Sequence, residues 1–246
     1  TQLVEDDQLW CDCTIDLHGA FLTEIADFRG ATFNRANFQD ATFNGDAYFQ
    51  GATFNRANFQ DATFNGDAYF QGATFNRANF QDATFNGDAY FRGATFNNVA
   101  SFRGATFNGD AYFRDAAFTN DASFQGAAFT NDAYFRDVAF NGDAYFWGAT
   151  FTNDAYFWGA TFNGDASFQD AAFNGDASFR GAAFNGDAYF WDATFNNVAN
   201  FQDATFNNVA NFQDATFTND DFQDATFTRS APPMGFPPGR VDEDGL

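Results

Sequence analysis

The chain of 246 residues carries a formal charge of −22, with 33 acidic residues against 11 arginines and no lysine. Such an acidic balance excludes binding to nucleic-acid phosphates, which takes clustered Lys and Arg. It suits either a basic protein partner or a surface adapted to high salt, where ions screen self-repulsion. No apolar run approaches the ~18 residues needed to cross a bilayer, so we expect no membrane span. The compartment stays open, with the cytoplasm favoured.

The segment before Phe28 precedes the regular part of the chain. Residues 1–9 are polar and acidic, and we expect a flexible lead-in there. Trp10 to Leu17 then alternates apolar with polar residues, a period of two that indicates a strand with one buried face. Because a repeat array needs its open end covered, residues 10–27 are predicted to be an N-terminal cap.

The two cysteines and the one histidine of the chain lie close together in this cap. Cys11, Cys13 and His18 are residue types that bind zinc, but a structural zinc site requires four ligands. We therefore interpret them as ordinary cap residues and predict no metal and no cofactor. The sequence also contains no phosphate-binding loop, nucleophile–base pair or catalytic triad, so we predict that the protein is not an enzyme.

A five-residue unit, Ala-x-Phe-x-x, recurs from Ala26 to Arg229. From Phe28 to Phe91 the distances between successive repeat phenylalanines are five, five, five and six residues, and this set of four repeats. From Phe91 to Phe217 distances of five and six residues alternate. We predict a coil of four short sides, each with one inward Phe and an inward Ala two positions before it, and we expect the chain to turn just before that Ala. Successive coils should stack ~4.8 Å apart, with each Phe ring on the ring below.

Where two repeat phenylalanines are six residues apart, the extra residue falls at a fixed corner of the coil. At the corner between the fourth side and the first, this inserted residue is an aspartate in seven coils: Asp46, Asp67, Asp88, Asp110, Asp132, Asp154 and Asp176. From Val99 onward a second insertion lies between the second side and the third, at Asp121, Asp143, Asp165 and Asp187, and the coil grows by one residue. We interpret these aspartates as turn residues that bond a backbone N–H, with bridging by Ca²⁺ as the alternative.

Outward residues form ladders in the predicted coil. One tyrosine ladder precedes the Phe of the first side: Tyr48, Tyr69, Tyr90, Tyr112, Tyr134 and Tyr156. Trp147, Trp158 and Trp191 follow repeat phenylalanines and should be exposed, as should Tyr145. Exposed Trp and Tyr are common at protein interfaces, so we predict an interaction surface from these aromatic residues and the corner aspartates.

Tandem Ala-x-Phe-x-x resembles the repeats of the pentapeptide-repeat family over about residues 26–229. The resemblance implies an all-β fold, a right-handed four-sided (quadrilateral) β-solenoid, and the number of sides gives about nine to ten coils. We assign residues 28–229 to this solenoid and residues 230–246, which hold all four prolines, to a Pro-rich and acidic tail. The constant Phe centre, where family members often carry Leu, and the regular sixth residue depart from the family's pattern.

Three functional hypotheses follow. The first is a non-enzymatic scaffold or protein-interaction module with an acidic, salt-adapted surface and an unidentified protein partner. The second comes from the resemblance, because some pentapeptide-repeat proteins look like B-form DNA and modulate DNA gyrase or topoisomerase. The repeats carry about one net charge per ~3.5 Å, however, half the density of duplex DNA. The third is binding of ice or ordered water by outward Thr and Asn ladders, which Ala117 and Ala139 interrupt. The oligomeric state stays open.

Overall fold

The computed structural model describes residues 13–227 and contains 37 strands and no helix in that range. The lead-in 1–9, residues 10–12 of the predicted cap, residues 228–229 of the predicted solenoid and the tail 230–246 lie outside the described residues. Within the described part there is no helix of the length and apolarity that crossing a membrane takes.

The chain winds as a four-sided β-solenoid of about ten coils. We call its sides the first, second, third and fourth faces, after Phe28, Phe33, Phe38 and Phe43. Every strand pairs in parallel with the equivalent strand of an adjacent coil. Thr53 pairs with Thr74 in the early coils and Ala117 with Ala139 in the later ones, so the coil gains a residue along the rod. The predicted fold and the growth of the coil are therefore confirmed. Residues 13–27 pair in the same way with the coil above them.

Most strands are two residues long. On the first face they are Ala26–Asp27, Ala47–Tyr48, Ala68–Tyr69, Ala89–Tyr90, Ala111–Tyr112, Ala133–Tyr134, Ala155–Tyr156 and Ala177–Ser178. On the second face they are Thr53–Phe54, Thr74–Phe75, Thr95–Phe96, Ala117–Phe118, Ala139–Phe140, Thr161–Phe162, Ala183–Phe184, Thr205–Phe206 and Thr226–Phe227. On the third face they are Ala57–Asn58, Ala78–Asn79, Ala100–Ser101, Ala122–Ser123, Ala144–Tyr145, Ala166–Ser167, Ala188–Tyr189 and Ala210–Asn211. On the fourth face they are Phe21–Leu22, Thr42–Phe43, Thr63–Phe64, Thr84–Phe85, Thr106–Phe107, Ala128–Phe129, Thr150–Phe151 and Ala172–Phe173. Four longer strands complete the set: Cys13–Asp16, Thr32–Asn37, Thr194–Asn200 and Thr216–Asp221.

The core is a column of phenylalanine rings. Every repeat Phe from 28 to 212 is buried, together with the small residue two positions before it. Equivalent rings of adjacent coils stack with centroids 4.6 to 5.2 Å apart, as Phe124 does on Phe102 at 4.9 Å. Rings of the first face meet those of the third edge to face, which fills the centre. The position two before each buried Phe is therefore crowded, and between residues 26 and 210 it holds Ala everywhere except at Val138. The predicted inward Phe and Ala are confirmed.

Two of the four edges are β-turns. Between the first and second faces, and between the third and fourth, the N–H of the inward Ala donates to the carbonyl of the preceding Phe, as Ala127 does to Phe124 at 3.0 Å. The intervening Gly126 has φ 63°. Within residues 13–227, ten glycines and ten aspartates hold such positive φ values, because Gly has no Cβ and Asp tolerates the left-handed region. The turn therefore falls, at these edges, on the residue expected from the sequence.

Candidate interaction surface

The other two edges carry the inserted aspartates. On the fourth–first edge, the N–H of Asp67 donates to Oδ1 of Asp46 in the coil below at 3.1 Å, and the same bond recurs up the ladder at 2.9 to 3.3 Å. The aspartates of the second–third edge bond in the same way, for example Asp165 to Asp143 at 2.9 Å. The carboxylate thus provides an acceptor for a backbone N–H at the inserted residue. The aspartates therefore bond a backbone N–H as expected, but this N–H belongs to the next coil and not to the corner on which the Asp itself lies.

Every tyrosine of the chain bonds one of these aspartates. The phenol O–H of each donates to Oδ2 of the Asp two positions before it, at 2.8 to 3.2 Å. On the first face the tyrosine rings from Tyr48 to Tyr156 also stack on one another, with centroids 4.8 to 5.1 Å apart. The Tyr and Asp ladders are therefore one hydrogen-bonded surface along the first face.

This arrangement keeps the phenols protonated. Partial burial, followed by the hydrogen bond to Asp88, raises the pKa of Tyr90 to about 12, and partial burial with the bond to Asp132 raises the pKa of Tyr134 to about 12. An ionised phenolate would lose the proton that it donates and would face a carboxylate at contact distance. The tyrosine ladder is therefore a set of fixed donors that stay protonated at neutral pH.

Both carboxylate oxygens of most ladder aspartates on the first face are occupied by these N–H and O–H donors. In residues 13–227 there is no group of three or more His, Cys, Asp or Glu side chains that could hold a metal ion. His18 contacts the carbonyl oxygen of Gln39 through Nδ1 at 3.1 Å. Cys11 lies outside the described residues.

The structure separates the three tryptophans of the repeats onto opposite edges of the solenoid. Trp158 lies on the first–second edge, where its ring is 5.2 Å from Tyr156 and within 5.9 Å of the Arg136 guanidinium. Its indole N–H donates to the Ser178 hydroxyl. Trp158 is therefore an extension of the tyrosine ladder, and it is not adjacent to the other two tryptophans.

Trp147 and Trp191 lie on the third–fourth edge, two coils apart. Beside them on the third face, Tyr145 and Tyr189 flank Ser167 in register. We call Tyr145, Trp147, Tyr189 and Trp191 the aromatic patch. Trp147 is 46% exposed, Trp191 38% and Tyr145 38%. The aromatic rungs alternate with serine rungs, and this leaves a shallow recess of about 400 Å³ next to Tyr145 and Trp147.

Two features of this surface were not predicted from the sequence. Tyr189 was not counted with Tyr145, although the period of the later coils places it on the same face. Three arginines, Arg35, Arg56 and Arg77, lie above one another on the second–third edge and line a groove of about 670 Å³. Their regular spacing, equal to the length of the early coil, was the signal that could have identified them.

A family model described as pentapeptide repeats (9 copies) matches the chain in overlapping segments: residues 14–53, 49–95, 91–138, 115–161, 146–194, 157–205 and 190–232. These segments cover most of the sequence. The chain belongs to the pentapeptide-repeat family. Comparison with curated proteins and with solved structures found no match. Family membership agrees with the coil of four Phe-centred sides.

Proposed function

We propose that this pentapeptide-repeat protein is a rigid, non-enzymatic scaffold that binds a protein partner through the aromatic patch. The observation that supports the proposal most is the exposure of Trp147, Trp191 and Tyr145 in a chain whose repeat phenylalanines are almost completely buried. Their side chains leave substantial apolar area in contact with water, and a partner that covers it gains free energy.

The patch is also held in place before binding. The indole N–H of Trp147 donates to Oδ2 of Asp170 at 2.9 Å, and the phenols of Tyr145 and Tyr189 donate to Asp143 and Asp187 at 3.0 and 2.9 Å. Side chains ordered in this way lose little conformational entropy when a partner docks. The recess at the serine rungs gives room for an inserted apolar side chain of the partner.

The charge distribution favours this role over mimicry of DNA. The fourth–first edge does carry one Asp per coil over seven coils, but the second–third edge carries Arg35, Arg56 and Arg77 in the lower half of the rod. A surface that imitates duplex DNA would be negative on the fourth–first edge and on the second–third edge alike. The acidic balance instead suits a partner with a basic rim around the apolar contact.

The test is affinity capture on the immobilised protein, compared with a W147A/W191A variant and with W158A as the matched control on the opposite edge. A partner that uses the patch should be captured by the wild type and by W158A, and should bind the double variant at least about tenfold more weakly once purified and titrated. Equal binding to all three proteins would contradict the proposal. So would a set of captured proteins that is the same for the double variant as for the wild type.

A further inference from the structure

The second–third edge reverses its charge halfway along the rod. The residue before the inward Ala of the third face is, in successive coils, Arg35, Arg56, Arg77, Val99, Asp121, Asp143, Asp165, Asp187 and Val209. The reversal coincides with the lengthening of the coil. The fourth–first edge shows no such change, because it carries Asp in every coil from Asp46 to Asp176.

The positive half of this edge lacks counter-charges within the described part of the chain. Arg35, Arg56 and Arg77 are exposed and make no ion pair with any residue from 13 to 227, whereas Arg114 and Arg136 lie 3.3 and 3.1 Å from neighbouring aspartates. One coil is one strand spacing of ~4.8 Å, so the three guanidinium groups are close enough to repel one another. An anionic partner that places one charge per coil would remove this repulsion.

The negative half has carboxylate oxygens available for such a contact. Oδ1 of Asp121 accepts the N–H of Asp143, and Oδ1 of Asp165 accepts the N–H of Asp187, both from the coil above. Within residues 13–227 Oδ2 of Asp121 and Asp165 accepts no hydrogen bond, because the residue two positions later is a serine. Asp143 and Asp187 are followed at that position by a tyrosine, which donates its O–H. Oδ2 of Asp143 accepts a tyrosine O–H and has a further lone pair.

The two halves of the edge also differ in backbone length. In the negative half the corner contains the inserted sixth residue, and its aspartates are half-buried. In the positive half this residue is absent, and the edge borders the groove of about 670 Å³ whose floor is Ala36, Ala57 and Ala78. Successive coils of this edge stack with little tilt, because adjacent Phe rings of the second face differ by 9° or less in plane from Phe54 to Phe206. The pair at the positive end, Phe33 and Phe54, differs by 21°.

We propose that a second copy of this chain docks antiparallel along the second–third edge, with Val99 on the two-fold axis. This arrangement places Arg77 opposite Asp121 of the second copy, Arg56 opposite Asp143, and Arg35 opposite Asp165. Both rods have the same rise per coil, so all six ion pairs form in one register. Val99, which is 57% exposed, packs against its own counterpart and becomes buried. The aspartate half of each edge lies along the groove that the arginines of the other copy line.

The symmetry selects this arrangement over the alternatives. A parallel pair of second–third edges would place arginine against arginine and aspartate against aspartate. Docking of the arginines on the fourth–first edge of another copy would be heterologous, and such contacts propagate into filaments instead of closing. The proposed contact is isologous and closes as a dimer. It uses a different edge from Trp147 and Trp191, so its failure would leave the proposed partner site untouched.

Cross-linking tests the position of the axis. Val99→Cys is made in a chain with Cys11 and Cys13 changed to serine, and is treated with a short bismaleimide. The control is Ile25→Cys, which alters a residue of similar exposure (63%) on the fourth–first edge. We expect V99C to give a cross-linked dimer and I25C to stay monomeric. Equal cross-linking of the two variants, or none with V99C, would overturn the proposal.

Charge exchange tests the pairing by sedimentation equilibrium, where the dimer has twice the monomer mass of 27.2 kDa. Arg77→Glu removes two ion pairs and should weaken the dimer at least about tenfold, whereas Arg77→Lys keeps the charge and should dimerise nearly as well as the wild type. Asp121→Arg should weaken the dimer in the same way. An equimolar mixture of R77E and D121R should dimerise, because the introduced glutamate of one variant then faces the introduced arginine of the other and the native pair of Arg77 with Asp121 forms at the second site. Circular dichroism checks that each variant is folded. If D121R does not fold, the contrast between R77E and R77K decides.

Three results would refute the antiparallel dimer. The first is a monomer mass for the wild type at low salt over the whole concentration range, as expected if the arginines bind a small anion or an acidic segment of their own chain. The second is growth beyond the dimer, which indicates a heterologous contact. The third is a dimer that R77E forms as well as the wild type.

Discussion

Replacement of a mid-rod phenylalanine is the most direct test of the core. Phe124 is completely buried and stacks between Phe102 and Phe146, with ring centroids 4.9 and 4.8 Å away. It also meets Phe113 and Phe135 of the first face edge to face at 5.3 Å. Phe124→Ala therefore removes a ring that contacts neighbours above, below and across the column.

The cavity left by this change cannot collapse easily. The rings above and below are fixed by their own coils, whose backbones are tied together by bonds such as that from the Phe124 N–H to the Tyr145 carbonyl at 2.7 Å. We therefore expect Phe124→Ala to reduce the free energy of unfolding by ~3–5 kcal/mol. Each kcal/mol lowers the Tm of a chain of this size by ~2–4 °C, so the melting temperature should fall by roughly 10 °C.

The assay is denaturant unfolding together with a thermal melt, both followed by circular dichroism. Thr106→Ala is the matched control, because Thr106 points outward and pairs in register with Ala128, so alanine fits there. The control should change stability by less than about 0.5 kcal/mol. If Phe124→Ala shifts the transition no more than Thr106→Ala does, the inward assignment of the phenylalanines is wrong.

Four further predictions concern the edges and ladders. Gly126→Ala should cost about 1–2 kcal/mol in denaturant unfolding, because the residue has φ 63° while no atom lies within 4 Å of the added Cβ; no effect would contradict backbone strain as the cause. The free energy of unfolding should fall as the pH rises from ~10 towards 12, because the pKa of Tyr90 and Tyr134 is about 12 in the folded chain and ~10 in the unfolded one. The measurement is phenolate absorbance against pH; identical midpoints for the native and the denatured chain would contradict the prediction. Potassium chloride, raised from near zero to molar concentration, should raise the Tm by screening the repulsion within the Asp ladder of the fourth–first edge. A Tm that is independent of salt would contradict the salt-adapted surface and favour a basic partner as the reason for the negative charge. EGTA should leave the Tm unchanged, since backbone N–H groups and phenols already occupy the ladder carboxylates; a lower Tm would revive the calcium alternative.

The fold was predictable because the repeat determines it locally. A Phe at every fifth or sixth position with an Ala two before it can bury its rings only if four short sides close into a coil. The position of the turn followed from the same unit, as at Gly126 and its equivalents. The candidate aromatic residues were also found from sequence, because Trp147 and Trp191 follow an inward Phe and therefore lie at an edge.

The sequence by itself determined the coil, the inward phenylalanines, the turn residues and the exposure of the tryptophans. Only the tertiary structure decided which side chains of different coils touch. It placed Trp158 on the edge opposite Trp147, bonded each Asp to the N–H of the coil above, and aligned Arg35, Arg56 and Arg77 below the aspartates of the same edge. The physical reason is register. Residues one coil apart in the sequence become neighbours only through the parallel pairing of whole coils, and a single inserted residue changes which of them meet.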